Sequence, residues 1–252
     1  MRFASLGSGS RGNALLVEAG STRVLLDCGF GPRELEARLA RLGVTPHEID
    51  AVLVTHEHGD HVSGVAKCAA RFDFEIFLSH GTAVAAGIAE DGNVFQIDSH
   101  AAFGIGDLEI QPFPVPHDAR EPTQFVIGNG QNRLGVLTDA GCVTPHMVAM
   151  LDGCDALVLE CNHDSAMLRA SSYPPSLKQR IGGRLGHLSN EAAGDLLQRI
   201  DKQRLKHVVA AHLSEQNNRA DLAQGALASV LGCNPHEVAV ANQQQGFTWR
   251  QL

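Results

Sequence analysis

Residues Thr55 to His61 read Thr-His-Glu-His-Gly-Asp-His (THEHGDH), directly after the apolar run Ala51 to Val54, AVLV. A short apolar run of this kind reads as a buried strand, so three imidazoles and two carboxylates arrive together at a strand end. His56 and His58 are two residues apart, which in an extended segment puts both side chains on one side, where they can grip one metal ion. Gly59 permits a sharp turn, after which Asp60 and His61 can face a second ion. A lone strand-end histidine is more often just a hydrogen-bonded residue. Three histidines and an aspartate buried together without a metal would instead carry a heavy desolvation cost, so the cluster reads as a metal site. Imidazole nitrogens and carboxylate oxygens suit zinc, manganese or iron.

Working outward, short runs rich in Val, Leu and Ile alternate with helical segments. Candidate strands are ALLVEA (14–19), TRVLLD (22–27), AVLVT (51–55), EIFLS (75–79), LEIQPFPV (108–115), TQFVIG (123–128), RLGVLTD (133–139), ALVLEC (156–161) and HVVAAH (207–212). Helices are expected from about Pro32, from about Thr82 as a cap, and from Asn190 to about Ile200 behind Ser189. Interleaving of this kind gives an α/β chain with sheets covered by helices. His56 follows AVLVT, His117 follows the strand ending at Val115, Asp139 ends RLGVLTD and His212 ends HVVAAH. Four strand ends thus deliver an imidazole or a carboxylate to one prospective sheet edge, where loops on a rigid scaffold favour a site. An aspartate such as Asp139, placed to bridge, would hold two cations roughly 3.5–4 Å apart with a nucleophilic water or hydroxide between them.

The 252 residues, 44% of them hydrophobic, are enough for one large core, and residues 1–252 read as a single domain. The apolar runs are short and the start, MRFASLGSGS, carries no leader pattern, so a soluble cytoplasmic protein is expected. Six cysteines lie scattered without a CxxC pair, which argues against a zinc knuckle, a redox motif or a disulfide framework. A formal net charge of −8 argues against a generally basic nucleic-acid binder, so any polyanion must be held locally.

THEHGDH resembles the HxHxDH signature of the metallo-β-lactamase superfamily, and PVPHDA, LTDAG and AAHLS continue the likeness in order across nearly the whole chain. The resemblance implies a metallo-β-lactamase fold, a four-layered αββα sandwich with a binuclear metal site between the sheets. It implies that His56, His58 and His117 hold one divalent ion, that Asp60, His61 and His212 hold the other, and that Asp139 bridges them. His163 and His187 stand near enough in the motif pattern to compete with His212. A redox protein of the flavodiiron kind is disfavoured, because His58 stands where those proteins resemble HxExD.

Three further segments narrow the chemistry. Ser5 to Asn13, SLGSGSRGN, offers backbone N–H groups, hydroxyls and a guanidinium to a phosphate, although a glycine-rich hairpin connection explains it equally well. Gly186 to Ala193, GHLSNEAA, resembles the histidine motif of tRNase Z, ribonuclease J and related phosphodiesterases. There His187 would protonate a leaving oxygen, with Glu160 at the matching strand end to orient it. Residues 165–185 carry Arg169, Lys178, Arg180 and Arg184 and no acid, which reads as a patch for a phosphate backbone. Tyr173, beside two prolines, is a stacking candidate or a packing anchor.

Together with LLDCGF, LECNHD and AHLSEQNN these segments resemble the YycJ/WalJ family of exonucleases. That likeness implies a phosphodiester hydrolase acting on DNA from the 5′ to the 3′ end through a metal-bound hydroxide. Asp60, His187 and Glu160 would be the catalytic residues. Ser8, Ser10, Arg11, Asn13 and Ser189 would grip substrate. An RNA or small-molecule phosphodiesterase, or a thiolester or lactam hydrolase of the same fold, is the alternative.

Overall fold

The computed structural model describes residues 1–89 and 92–252. The strands, in chain order, are β1 (Arg2–Gly7), β2 (Ala14–Ala19), β3 (Thr22–Leu26), β4 (Ala51–Leu53), β5 (Glu75–Ser79), β6 (Val94–Ile97), β7 (Phe103–Ile105), β8 (Leu108–Pro114), β9 (Thr123–Gly128), β10 (Arg133–Leu137), β11 (Ala156–Glu160), β12 (His207–Ala211), β13 (Ala239–Val240) and β14 (Phe247–Gln251). Among the described residues they form two seven-stranded sheets, ordered β14-β1-β2-β3-β4-β5-β6 and β13-β12-β11-β10-β9-β8-β7. β3 to β6 run parallel, as do β10 to β13. The outer meanders, β1 to β3 and β7 to β10, are antiparallel.

Side-chain alternation explains the layering. In β4, Ala51 and Leu53 enter the core shared by the two sheets, while Val52 and, just past the strand, Val54 enter the core on the opposite face. In β11, Ala156 and Val158 point into the shared core, and Leu157 and Leu159 point away from it. Strands covered on both faces read as unbroken apolar runs, which is why AVLV and ALVL were legible as strands. The helices are α1 (Pro32–Ala40), α2 (Gly59–Val62), α3 (Val65–Phe72), α4 (His80–Ala86), α5 (Pro145–Leu151), α6 (Ser165–Ala170), α7 (Pro175–Ile181), α8 (Asn190–Arg199) and α9 (Ala220–Leu231). Leu35 and Leu39 of α1, Phe72 of α3 and Ala83 of α4 cover the first sheet. Met147 and Leu151 of α5, Leu196 and Leu197 of α8 and Leu227 of α9 cover the second. The result is the αββα sandwich, in which each large apolar side chain moved out of water contributes about 1.5–3 kcal/mol.

Several local readings change. Thr82 is not a cap: Ser79, the last residue of β5, occupies that position, and its Oγ accepts the Thr82 N–H at 3.3 Å. α4 starts one residue after β5 ends, so the capping oxygen comes from the strand. The chain turns at Gly59 from extended His58 into a single helical turn, but Gly59 has no positive φ, so the turn does not draw on glycine's left-handed freedom. β1, β6, β7, β13 and β14 were not among the candidate strands. Ser5 and Gly7 interrupt the apolar pattern of β1, and the other four are half-exposed strands of two to five residues at or near sheet edges. Among the described residues no helix is long and apolar enough to cross a membrane.

Candidate metal centre

Six strand ends supply the site. Asp27 follows β3, Thr55 and His56 lie just past β4, His117 lies past β8, Asp139 lies past β10, Glu160 ends β11 and His212 follows β12. Ladder pairing stops one or two residues short of the ends read from sequence, and those freed residues include Asp27, Asp139 and His212. The same three adopt left-handed backbone, with φ of 62°, 52° and 53°. Each such non-glycine residue costs on the order of 1 kcal/mol, held by the surrounding fold.

The side chains converge as two overlapping donor groups. His56, His58 and His117 bring ligand atoms within 4.8 Å of one another, and so do Asp60, His61 and His212. Nδ1 of His58 is 3.2 Å from Nε2 of His117. Oδ2 of Asp60 is 3.4 Å from Nε2 of both His61 and His212. Asp139 stands between the groups, with Oδ2 3.1 Å from His61 Nε2 and Oδ1 3.9 Å from His117 Nε2. His163 is buried and belongs to neither group nor to the other two donor groupings, one of which adds Glu160 and His187 to Asp139 and His212.

The imidazoles are aimed from behind. Asp27 accepts the His61 Nδ1 proton at 2.7 Å, the Thr55 hydroxyl lies 2.9 Å from His56 Nδ1, and the Gly186 carbonyl accepts from His117 Nδ1 at 2.9 Å. Thr55 is fixed by Asp27, which accepts both its N–H and its hydroxyl. With Nδ1 engaged, each ring turns Nε2 towards the centre, the arrangement that suits ligation. His56 Nε2 and Asp139 Oδ2 are buried without a well-aligned hydrogen-bond partner. Two orphaned donor atoms inside a thiolate-free nitrogen and oxygen set fit divalent cations.

Charge is distributed accordingly. Burial, with His61 nearby, pushes the His56 pKa well down, and burial also lowers His117, so both favour the neutral ligating form. Burial depresses His212 too, but Asp139, Asp60 and Glu160 overcome it and raise it to about 10. For Asp60 the upward push of burial is outweighed by His212 and His61, which hold it well below the usual carboxylate range.

His187 and Glu160 meet as a pair. Glu160 is fully buried at the end of β11; its Oε1 accepts from His187 Nδ1 at 2.8 Å and lies 3.3 Å from His212 Nδ1. Its Oε2 accepts the N–H groups of Ala140 and Leu188. Burial raises this carboxyl, and His187 and His212 more than reverse that, leaving it at about 2. On His187 burial acts downward, and Glu160 and Asp139 reverse it, raising the imidazole.

A cleft of about 360 Å³ opens over this centre between Asp60, His58, His187 and the α7 residue Arg180. Ser10 lines it. The other substrate-binding candidates are placed differently. The Ser8 hydroxyl accepts the His212 N–H, and Asn13 is spent on Gly9, Asp60 and His61, so both are buried supports. Arg11 pairs with Glu215 at the surface, and Ser189 caps α8. The candidate set from sequence omitted Asp27, Thr55 and Asp118. The signal for Asp27 was present in LLDCGF, an acid ending an apolar run just as Asp139 does.

An αββα sandwich whose strand ends gather imidazoles and carboxylates around two cation-sized donor groups defines a metal-dependent hydrolase. Residues 22–212 match the family described as beta-lactamase superfamily domain. The chain is 34% identical over 237 residues to the exodeoxyribonuclease YycJ of Bacillus anthracis, covering 92% of this chain and 89% of that protein. It is 32% identical over 238 residues to the exodeoxyribonuclease WalJ of Streptococcus pneumoniae, covering 91% and 88%. The chain belongs to the beta-lactamase superfamily and, within it, to the family of YycJ and WalJ. The metallo-beta-lactamase fold protein YhfI of Bacillus subtilis shares its fold, with a TM-score of 0.76 at 16% identity over 99% of this chain and 98% of that one.

Proposed function

We propose that this protein is a binuclear-metal-dependent DNA exonuclease that removes nucleotides from the 5′ end, with residues 1–252 acting as one domain in the cytoplasm. The observation that carries this reading is the His187–Glu160 pair set beside two cation-binding donor groups: a thiolester expels a thiolate that leaves without a proton, whereas a departing 3′ oxygen needs a positioned acid to supply one. The nuclease relatives support the substrate class.

In this proposal His56, His58 and His117 would hold one ion and Asp60, His61 and His212 the other, with Asp139 available to both. Bound there, zinc, manganese or iron would neutralise phosphoryl oxygens and acidify a water. Asp60, held ionised by His212 and His61, orients the attacking water as it binds. His187 engages Glu160 through Nδ1, which leaves Nε2 to give its proton to the leaving oxygen. Its raised pKa keeps that proton available near neutral pH.

The test is hydrolysis of 5′-phosphorylated and 5′-hydroxyl DNA and RNA, single- and double-stranded, with manganese or zinc and a His58→Ala control. Stepwise release from the 5′ end of DNA, absent in the control, is the expected result. Cleavage of RNA alone, or of small phosphodiesters or thiolesters alone, would refute the DNA exonuclease reading.

A further inference from the structure

One wall of the cleft is formed by the acid-free segment that carries α7. Arg180 lies on that wall with Tyr173 and Ile181, its side chain 60% exposed. Its Nε donates to Asp118 Oδ2 at 2.5 Å. The other oxygen of Asp118 stands 3.6 Å from His117 Nε2 and 3.9 Å from His58 Nε2, two imidazoles of one donor group. Arg180 is therefore one side chain removed from the metal centre. Three hydrogen bonds tie the residues that follow it to the centre: the Ile181 carbonyl accepts the His187 N–H at 2.8 Å, the Gly186 carbonyl accepts from the His117 ring, and the Leu185 carbonyl accepts the Asp118 N–H at 2.9 Å.

We propose that Arg180 is the anchor for a phosphate of the substrate strand next to the scissile one, and that Asp118 holds the guanidinium in place until that phosphate displaces it. This rests on the nuclease reading above. An exposed pair such as Arg180 with Asp118 contributes little, so giving it up costs little. A phosphate engages the planar guanidinium through two parallel hydrogen bonds, a stronger and better-oriented contact than the single Nε contact to Asp118. Release does not strand the carboxylate, because Asp118 is itself partly exposed to water and its second oxygen faces His58 Nε2. The surrounding charge favours the exchange: among the described residues Arg169, Lys178 and Arg184 of the same segment pair with no carboxylate, and Lys178 donates only to the Arg169 carbonyl.

The experiment measures binding of fluorescent, 5′-phosphorylated, phosphorothioate-linked single-stranded DNA to the metal-loaded protein by anisotropy, from 50 to 200 mM salt. Arg180→Ala should weaken binding about tenfold. It should also flatten the salt dependence by about 0.7 in the log–log slope, the share of one phosphate contact on a single strand. Arg180→Lys should restore the slope but not the full affinity. Asp118→Asn, which removes the competing charge, should bind as tightly as the parent or more tightly. On cleavable DNA, Arg180→Ala should raise KM while kcat stays within about threefold. Parent affinity and slope in Arg180→Ala, with the parent protein still cleaving DNA, would overturn this proposal alone. Asp118→Asn as weak as Arg180→Ala would show the pair to be a structural unit and overturn the exchange. A parent protein that neither binds nor cleaves any strand would overturn the nuclease reading and this proposal with it.

Discussion

Replacing Glu160 by glutamine should leave the protein folded while disabling its centre, and the four donors around that carboxylate show why. Oε2 accepts two backbone N–H groups, from Ala140 and Leu188, and Oε1 faces Nδ1 of His187 and of His212. A glutamine keeps one accepting oxygen and presents an NH₂ in place of the other. The backbone donors cannot change, so the carbonyl must stay on them, and the NH₂ must face the two imidazoles. Those rings can adapt by moving their protons from Nδ1 to Nε2. His212 then offers a proton to the centre where it should offer a lone pair, and His187 loses the anion that raises its pKa. The stability loss is confined to charge-assisted bonds becoming neutral ones, about 1–3 kcal/mol, or roughly 2–12 °C in melting temperature for a chain of this size. Hydrolysis should fall by about 10²–10⁴, the usual contribution of a positioned acid, with metal content reduced as well. Glu160→Ala is the contrast: it strands the Ala140 and Leu188 N–H groups in a buried cavity and should cost about 2–6 kcal/mol. Steady-state kinetics, elemental analysis and thermal melting read all three quantities. Glu160→Gln with full metal content and hydrolysis within threefold of the parent would refute the tautomer argument.

Asp27→Ala removes the partner of His61 Nδ1 and the anchor of Thr55, so divalent-ion affinity should drop about 10–100-fold in a competition titration with a chelating dye; an unchanged affinity would show that neither ring depends on it. Gly186→Ala puts a Cβ 2.2 Å from the carbonyl oxygens of Arg180 and Ile181 and should destabilise by about 1–3 kcal/mol or more in denaturant melts, whereas an unmoved midpoint would deny this close approach. Loading stripped protein with zinc near pH 7.5 should release protons, because the carboxylates around His61 and His212 hold both imidazoles protonated. Apparent affinity then rises with pH, and calorimetry in buffers of different ionisation enthalpy counts the protons. The stripped form should follow the opposite sense. His212, raised to about 10, contributes stability that is fully present below its ordinary value of 6.5 and is lost as pH climbs through 10, and a melting temperature that rises over that range would contradict this sign.

The fold was legible where strands are covered on both faces. AVLV and ALVL are apolar without interruption because each residue meets either the opposite sheet or a helix layer. β6, β13 and β14 were illegible for the converse reason: half-exposed edge strands gain their order from a neighbour already in place, and their own side chains carry little of the pattern. Thr82 illustrates a related failure. Both it and Ser79 are good capping residues, and only the point where β5 stops pairing decides between them.

Within the site the division follows sequence separation. THEHGDH declares itself because its donors are separated by only one or two bonds of chain, and backbone geometry alone puts them on shared faces. The apolar runs then announce further strand ends at His117, Asp139 and His212. Which group stands behind each imidazole is a different matter. Asp27 reaches His61 across 34 positions, His212 reaches Asp60 across 152, and Arg180 finds Asp118 across 62. Such pairs depend on sheet order and strand register, which no local propensity encodes. The same packing turned Ser8 and Asn13 from prospective phosphate ligands into buried supports, since a hydroxyl or amide left free beneath a packed strand end must be satisfied by whatever the fold brings to it. The sequence alone determined the donors and the strands that carry them; tertiary structure decided their partners, because a hydrogen bond is set by distance in space and not by distance along the chain.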